Sequence, residues 1–415
     1  MSKAQPNRVG RGVKTAAVMT VLAILLAGTA EGKKKKEAAA APAQPGILQQ
    51  LDYSKIVWPN PPAIARIKYL DYFAAEPRRD KTKQKEKVAW MDRLAGIAAG
   101  ENKADKLRFQ LVTPYGVAVD SKGRVYVVDS KVLAVFIFDT QTKELDLIKN
   151  NVHARFAVPT GIVIDDSDRV FISDSKARRI VVFDAQHRAE GTIAEGLMGP
   201  GGMAIDPENR YLYVADAERD QVLVYDADPP FKLLRSIGTT GKEHTLTTPG
   251  DFSRPTNVAV DKEGNLYVAD TLNDRIQVFD ADSKFIRTWG KPGDGPGYFA
   301  RPKGIAIDGD GHVWVADAVQ DRVQVFSSDG RLLIYMGEHG LLPGQFRSLA
   351  GLTIDKKNRV FTSEQYPGRV QMFQYFSDAE AKAQKEERDA ELKKKSAGTP
   401  AEAPAARPQP AAAAK

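Results

Sequence analysis

The sequence predicts an all-β protein, a six-bladed β-propeller whose blades are four-stranded antiparallel sheets. One observation is a segment that occurs six times, with starts at Pro114, Pro159, Pro200, Pro255, Pro302 and Leu349. A second is the period, because successive starts lie 45, 41, 55, 47 and 47 residues apart. A third is the content of each copy, which holds short runs rich in β-branched and aromatic residues, separated by turn residues. A period in the forties with such runs is typical of propeller blades, whereas helical repeats would show a 3.6-residue spacing.

The fourth copy shows the elements of one blade most clearly. After Pro255 a first run ends at Asp261, the run NLYVAD ends at Asp270 and the run RIQVFD ends at Asp280. A fourth run follows in several copies, at 232–238, 284–290 and 331–337. A complete copy therefore predicts four strands joined by tight turns.

The sixth copy lacks a fourth run of its own. A matching run, ARIKYLDYF, lies far upstream at Ala65–Phe73. We expect this N-terminal strand to complete the last blade and close the ring, because closure removes unpaired strand edges.

The repeat carries a recognisable signature, P-x-G-I-A-I-D followed by V-A-D-x-x-x-x-R-I-Q-V-F. The signature is almost intact at Pro302–Phe326, and at Pro255–Phe279 it has Asn257 in place of the glycine. Phenylalanine stands three positions before four of the six starts. The sequence resembles the NHL-repeat family of six-bladed β-propellers, as an exported bacterial member, and the resemblance predicts a propeller domain over residues 62–375.

The two ends of the chain differ in composition from the repeats. Residues 1–30 contain basic residues, an apolar stretch from Thr15 to Leu26 and then small residues, which is the pattern of a signal peptide. We expect a flexible linker over 31–61, a charged helix over 376–396 and a disordered Ala/Pro-rich tail over 397–415. The protein is accordingly predicted to be exported to the periplasm or cell surface, with no membrane span once the signal is cleaved; an uncleaved signal would anchor it.

Charge and cysteine content limit the classes of function. The net charge of +7 comes from the ends, because residues 1–61 hold nine basic and three acidic residues and residues 376–415 hold eight and seven. The propeller is left neutral, which argues against a nucleic-acid partner. The absence of cysteine excludes disulfides and thiolate chemistry.

An acid at the end of the second strand and an arginine five positions later form the most regular polar pair. The four pairs are Asp174 and Arg179, Asp270 and Arg275, Asp317 and Arg322, and Glu364 and Arg369. Repetition around a ring predicts a structural role, in which the arginine spans the turn and binds the carboxylate.

A different set of residues predicts a binding site. Basic residues lie within two positions of three blade starts, and with Asn257 they form a candidate rim site of Arg254, Asn257, Arg301, Lys303 and Arg347. Loops between blades gather on one rim, so we expect a basic patch at the channel mouth that suits carboxylates, anionic glycans or an acidic protein surface.

These observations favour a non-catalytic binding or assembly module, a monomer without cofactor, metal or catalytic residues, whose partner is a protein or an anionic envelope ligand. The alternative is a metal-assisted hydrolase or lyase at the channel mouth. Six-bladed relatives include calcium-dependent lactonases and a zinc-dependent amidating lyase, with metal ligands on the inner ends of the blades. The five histidines of this chain do not occupy equivalent inner positions, which disfavours zinc.

Overall fold

The computed structural model describes residues 52–74, 110–149, 155–239 and 248–397. Within them, six antiparallel sheets are arranged as blades around a central channel. The predicted fold class is confirmed: the ring has six antiparallel blades, an N-terminal strand supplies the fourth strand of the last one, and one helix follows near the C-terminus.

The strands are numbered in chain order, and each blade runs from its innermost strand outwards. β1 (Val57–Trp58) and β2 (Ile67–Phe73) precede the first blade. Blade 1 contains β3 (Pro114–Val119), β4 (Arg124–Asp129), β5 (Ala134–Asp139) and β6 (Leu145–Lys149). Blade 2 contains β7 (Pro159–Ile164), β8 (Val170–Asp174), β9 (Arg179–Phe183) and β10 (Ala189–Ile193). Blade 3 contains β11 (Pro200–Asp206), β12 (Tyr211–Asp216), β13 (Gln221–Asp226) and β14 (Leu233–Ile237).

The remaining blades follow the same order. Blade 4 contains β15 (Pro255–Val260), β16 (Leu266–Asp270), β17 (Arg275–Phe279) and β18 (Phe285–Trp289). Blade 5 contains β19 (Pro302–Ile307), β20 (Val313–Asp317), β21 (Arg322–Phe326) and β22 (Leu332–Met336). Blade 6 contains β23 (Leu349–Ile354), β24 (Arg359–Glu364) and β25 (Arg369–Tyr375), and β2 and β1 complete it.

Burial follows from the position of each strand in its blade. Every residue of β16 and β17 is buried, because neighbouring blades cover both faces of the sheet. The outermost strand β22 alternates, with exposed residues at every second position. Since successive side chains point to opposite faces of a strand, one face of β22 packs inward and the other meets solvent.

Six apolar clusters hold the blades together, and each lies between two neighbours. Tyr126 and Ile137 of blade 1, for example, pack with Ile162 and Val181 of blade 2. The residue three positions before each blade start is buried in these clusters; the six are Leu111, Phe156, Leu197, Phe252, Phe299 and Phe346. The core is therefore a closed circle of interfaces without a free end.

The N-terminal strand closes the ring, as the sequence predicts. β2 pairs antiparallel with β25, with Ile67 opposite Tyr375 and Phe73 opposite Val370, and the register shifts between Tyr69 and Asp71. Residues 53–58, which fall in the range predicted as a linker, add a 3-10 turn (Tyr53–Lys55) and β1, which pairs with β2. The last blade thus has five strands.

A charged helix follows the last blade. α1 spans Asp378–Ala397, and its first turn is capped by Ser377, whose amide donates to Glu380 Oε2 at 2.9 Å. Ala381 is buried, while the neighbouring side chains up to residue 387 are exposed. No helix in the described parts of the chain is long and apolar enough to cross a membrane. The predicted signal peptide, the linker up to residue 51 and the tail from residue 398 lie outside the described residues.

Candidate functional site

The loops fall into two sets, one at each end of the channel. We call one end the upper face; it carries the connections into each first strand and the turns between the second and third strands. In all six blades a backbone hydrogen bond joins these two kinds of loop, as from the Ala318 amide to the Arg301 carbonyl at 2.9 Å. The lower face carries the remaining hairpin turns. Each blade therefore presents two upper-face loops that are bonded to one another beside the channel opening.

The central channel is narrow and almost uncharged. The six first strands line a cavity of about 270 Å³. Glycine is common among these strands because they approach closely: a Cβ on Gly161 would lie 2.1 Å from the Gly201 carbonyl oxygen. The titratable side chains among the lining residues are Lys303 and Tyr115.

A larger cavity of about 720 Å³, which we call the mouth pocket, opens on the upper face over blades 1 to 5. Five basic residues line it: Lys176, Arg178, Arg254, Arg301 and Lys303. Its one acidic lining residue is Glu218, whose Oε1 lies 2.8 Å from Nη2 of Arg254. Counting these six residues, the pocket has a formal excess of four positive charges (five minus one), which favours an anionic ligand.

Three of the five predicted rim residues come together in this pocket. Arg254, Arg301 and Lys303 all line it. Asn257 instead lines the channel below, and its Oδ1 accepts a hydrogen bond from the Val258 amide at 2.9 Å.

Arg347 is not among the residues that line either cavity. Its guanidinium lies over the ring of Tyr366, 4.6 Å from the centroid. The mouth pocket is lined by residues of blades 1 to 5, whereas Arg347 stands on the connection into blade 6.

Two basic residues of the pocket, Lys176 and Arg178, do not belong to the rim site predicted from the sequence. Lys176 and Arg178 are exposed and stand in the turn between β8 and β9. The run DSKARR is the signal that could have identified them, since the turns between second and third strands share the upper face with the inter-blade connections.

Lys303 lies at the neck between the two cavities. It lines both of them, as do Tyr115, Thr160 and Thr256. Its Nζ lies 5.6 Å from the centre of the Tyr115 ring. Burial, with a smaller contribution from Arg301, lowers the pKa of Lys303 below its ordinary value, while burial raises the pKa of Tyr115. A half-buried ammonium at the floor of a basic recess is a strong anion attractor.

The repeated acid and arginine pairs divide into two kinds. All four are directly opposite one another on adjacent strands. Arg275 Nε lies 2.8 Å from Asp270 Oδ2, and Arg369 Nε lies 2.7 Å from Glu364 Oε1, so blades 4 and 6 contain buried ion pairs.

In blades 2 and 5 the acid and the arginine of the pair form no ion pair with each other. Arg179 donates to the Arg155 carbonyl at 2.6 Å, and Arg322 lies over the Tyr335 ring. Their acids bind loop amides instead: Asp317 accepts from Ala300 at 2.8 Å. The expectation that the arginine binds the carboxylate therefore holds in blades 4 and 6 and does not hold in blades 2 and 5.

One group of three residues in the described chain has the spacing of a metal site. Oxygen and nitrogen atoms of Asp308, Asp310 and His312 lie within 4.8 Å of one another. His312 Nδ1 lies 2.9 Å from Asp308 Oδ2, in the place where Arg359 contacts Asp355 in blade 6. The group stands on the lower face and repeats a structural contact of the other blades, so it is separate from the mouth pocket.

Comparison with known proteins agrees with the repeat signature. Residues 189–300 match the family described as SMP-30/Gluconolactonase/LRE-like region, and residues 299–326 match the NHL repeat. The chain is similar to NHL repeat-containing protein 2 of Gallus gallus, at 32% identity, and of Homo sapiens, at 33%, over 95 residues in each case. The alignment covers 22% of this chain and spans 13% of the length of either relative.

Solved structures show a similar arrangement at low sequence identity. A virginiamycin B lyase from Staphylococcus aureus is 12% identical, with a TM-score of 0.48 over 64% of this chain and 96% of the lyase. A gluconolactonase from Xanthomonas campestris is 19% identical, with a TM-score of 0.49 over 64% of this chain and 87% of the enzyme. Likenesses at this level indicate nothing about activity. From its repeat signature, its matched repeat in blade 5 and its six-bladed ring, the chain is an NHL-repeat β-propeller.

Proposed function

We propose that this propeller is an exported, non-catalytic binding module that captures an anionic group of its ligand in the mouth pocket. The observation that carries the proposal is the convergence of five basic side chains and a single acidic one around a recess of about 720 Å³. Since residues 62–375 as a whole carry no net charge, this concentration of positive charge distinguishes the upper face.

The side chains differ in what they can contribute. Arginines offer planar donor pairs that match carboxylate and phosphate oxygens, so Arg254, Arg301 and Arg178 suit the entrance. Lys303, at the neck, offers a point charge in a partly desolvated place where Coulomb attraction is stronger than in water. A ligand group that enters the pocket would therefore meet flexible donors first and the ammonium at its deepest point.

Export is part of the proposal and rests on the sequence. The apolar stretch from Thr15 to Leu26 with its basic and small flanking residues supports a signal peptide. A chain without cysteine does not depend on disulfides for its stability, and ring closure supplies an alternative source. The N-terminal residue of the mature protein, determined by mass spectrometry, would decide whether cleavage occurs after Ala30.

A metal-assisted hydrolase or lyase is the second candidate, favoured by the match of residues 189–300 to the lactonase-containing family. The residues that line the mouth pocket include one carboxylate, Glu218, and no histidine. Such a donor set suits neither Ca²⁺, which takes six to eight oxygens, nor catalytic zinc. Metal analysis after gentle purification separates the candidates, since a stoichiometric divalent ion would favour the enzyme.

The binding function is tested by titrating citrate and pentaglutamate into the protein at low ionic strength, with calorimetric detection. Reversing the charge of Arg254 and Arg301 to Glu should weaken either ligand at least tenfold, since charge-assisted bonds contribute about 1.5–3 kcal/mol each. Reversal of Lys356 and Lys357, exposed on the lower face, is the matched control. Equal affinities of both double variants and the wild type would refute the proposal.

A further inference from the structure

The two faces of the ring differ in their exposed apolar side chains. Among the described residues, thirteen large hydrophobic side chains are exposed, and eight of them lie on the upper face. The other five lie on the outer strands β14, β18 and β22. The turns of the lower face contribute none.

Six of the eight form what we call the apolar arc, which follows the loops over blades 4 to 6 beside the mouth pocket. Its members are Leu272, Tyr298, Val319, Leu341, Leu342 and Tyr366, and each is between 43% and 59% exposed. Leu272 also lines the mouth pocket, so the arc and the basic recess are continuous. Clustered exposed apolar residues on one side of a soluble domain are typical of an interaction site.

The loops that carry the arc are held in place by hydrogen bonds. Gln320 Nε2 donates to the carbonyls of Gly293 at 2.5 Å and Tyr298 at 3.2 Å, which fastens the 290–301 loop to the next turn. Arg369 Nη1 donates to the Leu341 carbonyl at 2.7 Å and fastens the 337–348 loop in the same way. Since the apolar side chains stand on ordered loops, little conformational entropy would be lost when a partner covers them.

Arg347 lies beside the apolar arc and contributes to the same surface. Its guanidinium lies over the Tyr366 ring at 4.6 Å, and both residues stand on upper-face loops of blade 6. Arginine and tyrosine are the residue types that contribute most to protein interfaces, and aliphatic side chains around them exclude water.

From these contacts, and given the proposed binding function on which the inference rests, we propose that the apolar arc and mouth pocket together dock a protein segment that combines large apolar side chains with an acidic one. The apolar side chains would cover the arc. The carboxylate would enter the mouth pocket toward Arg301 and Lys303.

The position of the basic residues inside a recess favours a protein segment over a membrane as the binding partner. The basic residues lie within a recess with Lys303 at its neck, while the apolar residues stand beside it on the rim. A projecting side chain can reach such a floor, whereas lipid headgroups in a plane would meet the rim first. Residues 398–415 of the chain itself contain no Val, Leu, Ile, Met or aromatic residue, so they lack what the arc would bind.

The test is selection of a displayed random dodecapeptide library on the full-length protein, followed by anisotropy titration of the enriched peptides. Enriched peptides should pair Asp or Glu with Leu, Ile, Phe or Trp. The arc variant Val319→Ser, Leu341→Ser, Leu342→Ser should bind them at least tenfold more weakly. The control Leu234→Ser, Ile286→Ser, Leu333→Ser changes three residues that are 37–43% exposed on the outer strands, and it should bind as the wild type does.

Citrate separates this inference from the function on which it rests. Both serine variants leave the residues of the mouth pocket intact, so both should bind citrate with wild-type affinity. Citrate binding with equal peptide affinity in all three proteins would overturn the docking surface and leave the anion pocket standing. Absence of citrate binding in the wild type would refute the pocket.

Two further results would overturn the docking surface. In the first, the wild-type protein sediments with vesicles of phosphatidylcholine and phosphatidylglycerol and the arc variant does not. This result would assign the arc to membrane binding. The other is a concentration-dependent dimer, seen by analytical ultracentrifugation and abolished in the arc variant, which would assign it to a second copy of the chain.

Discussion

The rings of Tyr69 and Phe373 meet edge to face, with centroids 5.3 Å apart and planes at 89°. The two residues are paired across β2 and β25 although 304 positions separate them in the chain. Both are buried, and Phe373 also contacts the rings of Trp58 and Phe346. This contact is where the N-terminal strand is fastened to the last blade, so the stability of the whole ring depends on it.

Replacing Phe373 with Ala should therefore lower the free energy of unfolding by about 3–5 kcal/mol, because it leaves a cavity at the closing contact. Phe285→Ala, at a phenylalanine that is 38% exposed on β18, should cost about 1 kcal/mol or less. Urea unfolding followed by circular dichroism measures both. Similar losses of unfolding free energy in the two variants would show that the contact with the closing strand contributes no more to stability than an exposed residue of an outer strand.

The two kinds of acid and arginine pair predict different costs on truncation. Arg369→Ala leaves Glu364 fully buried without its ion-pair partner, so we expect a loss of about 3–5 kcal/mol. Arg322→Ala removes a stacking contact with Tyr335 and should cost about 1 kcal/mol or less. Denaturant midpoints of the two variants measure both costs. Equal shifts would contradict the division of the pairs into buried ion pairs and pairs without an ion pair.

Close approach of first strands predicts an intolerant glycine. Gly161→Ala would place its Cβ 2.1 Å from the Gly201 carbonyl oxygen and should destabilise by about 1–3 kcal/mol or more. Gly309→Ala is the matched control, since its Cβ would have Asn358 Oδ1 at 3.8 Å as its nearest neighbour. The control should unfold within about 0.5 kcal/mol of the wild type. A thermal melt that shifts equally in both variants would refute this account of the channel wall.

Asp274 predicts a pH dependence of stability. Burial, reinforced by Asp317, raises the pKa of this carboxyl to about 6, and its Oδ1 has no hydrogen-bond partner. The folded protein therefore holds this proton more tightly than the unfolded chain, and the stability it contributes at low pH is lost as pH rises through about 6.

The variant Asp274→Asn cannot lose that proton, and asparagine tolerates the left-handed backbone found there, with φ of 48°. We expect the variant and the wild type to be equally stable near pH 4, and the variant to be the more stable above pH 6. Urea midpoints between pH 4 and 7 give the comparison. A stability difference that is constant over this range would contradict the assignment.

Lys303 predicts a pH dependence of binding. Because burial lowers the pKa of Lys303, the affinity for citrate should begin to fall at a pH below the ordinary lysine value of 10.5. Lys303→Arg keeps its charge throughout this range and should show a flatter profile. Calorimetric titrations between pH 7 and 10 measure both. Parallel profiles would show that Lys303 does not contact the bound anion.

Much of the fold can be predicted from the sequence. Each copy, such as Pro302 to Phe326, combines alternation that forms strands with acids and glycines that form turns, and these are local properties. The matching run at Ala65–Phe73 even identifies the closing strand, since a missing fourth run in one blade requires a substitute. The short strand Val57–Trp58 gives no comparable pattern, because two residues are too few to show alternation.

The binding site could be predicted from the sequence far less completely than the fold, because its residues come together only in the tertiary structure. The sequence alone determined the number of blades, the closing strand and the presence of basic residues near the blade starts, because each follows from the pattern of the repeated segment. Only the assembled ring decided that Lys176 and Arg178 join Arg254, Arg301 and Lys303 while Arg347 does not. Convergence at the channel mouth depends on which loops surround the pocket in the assembled ring: blades 1 to 5 contribute lining residues, and blade 6, which carries Arg347, contributes none.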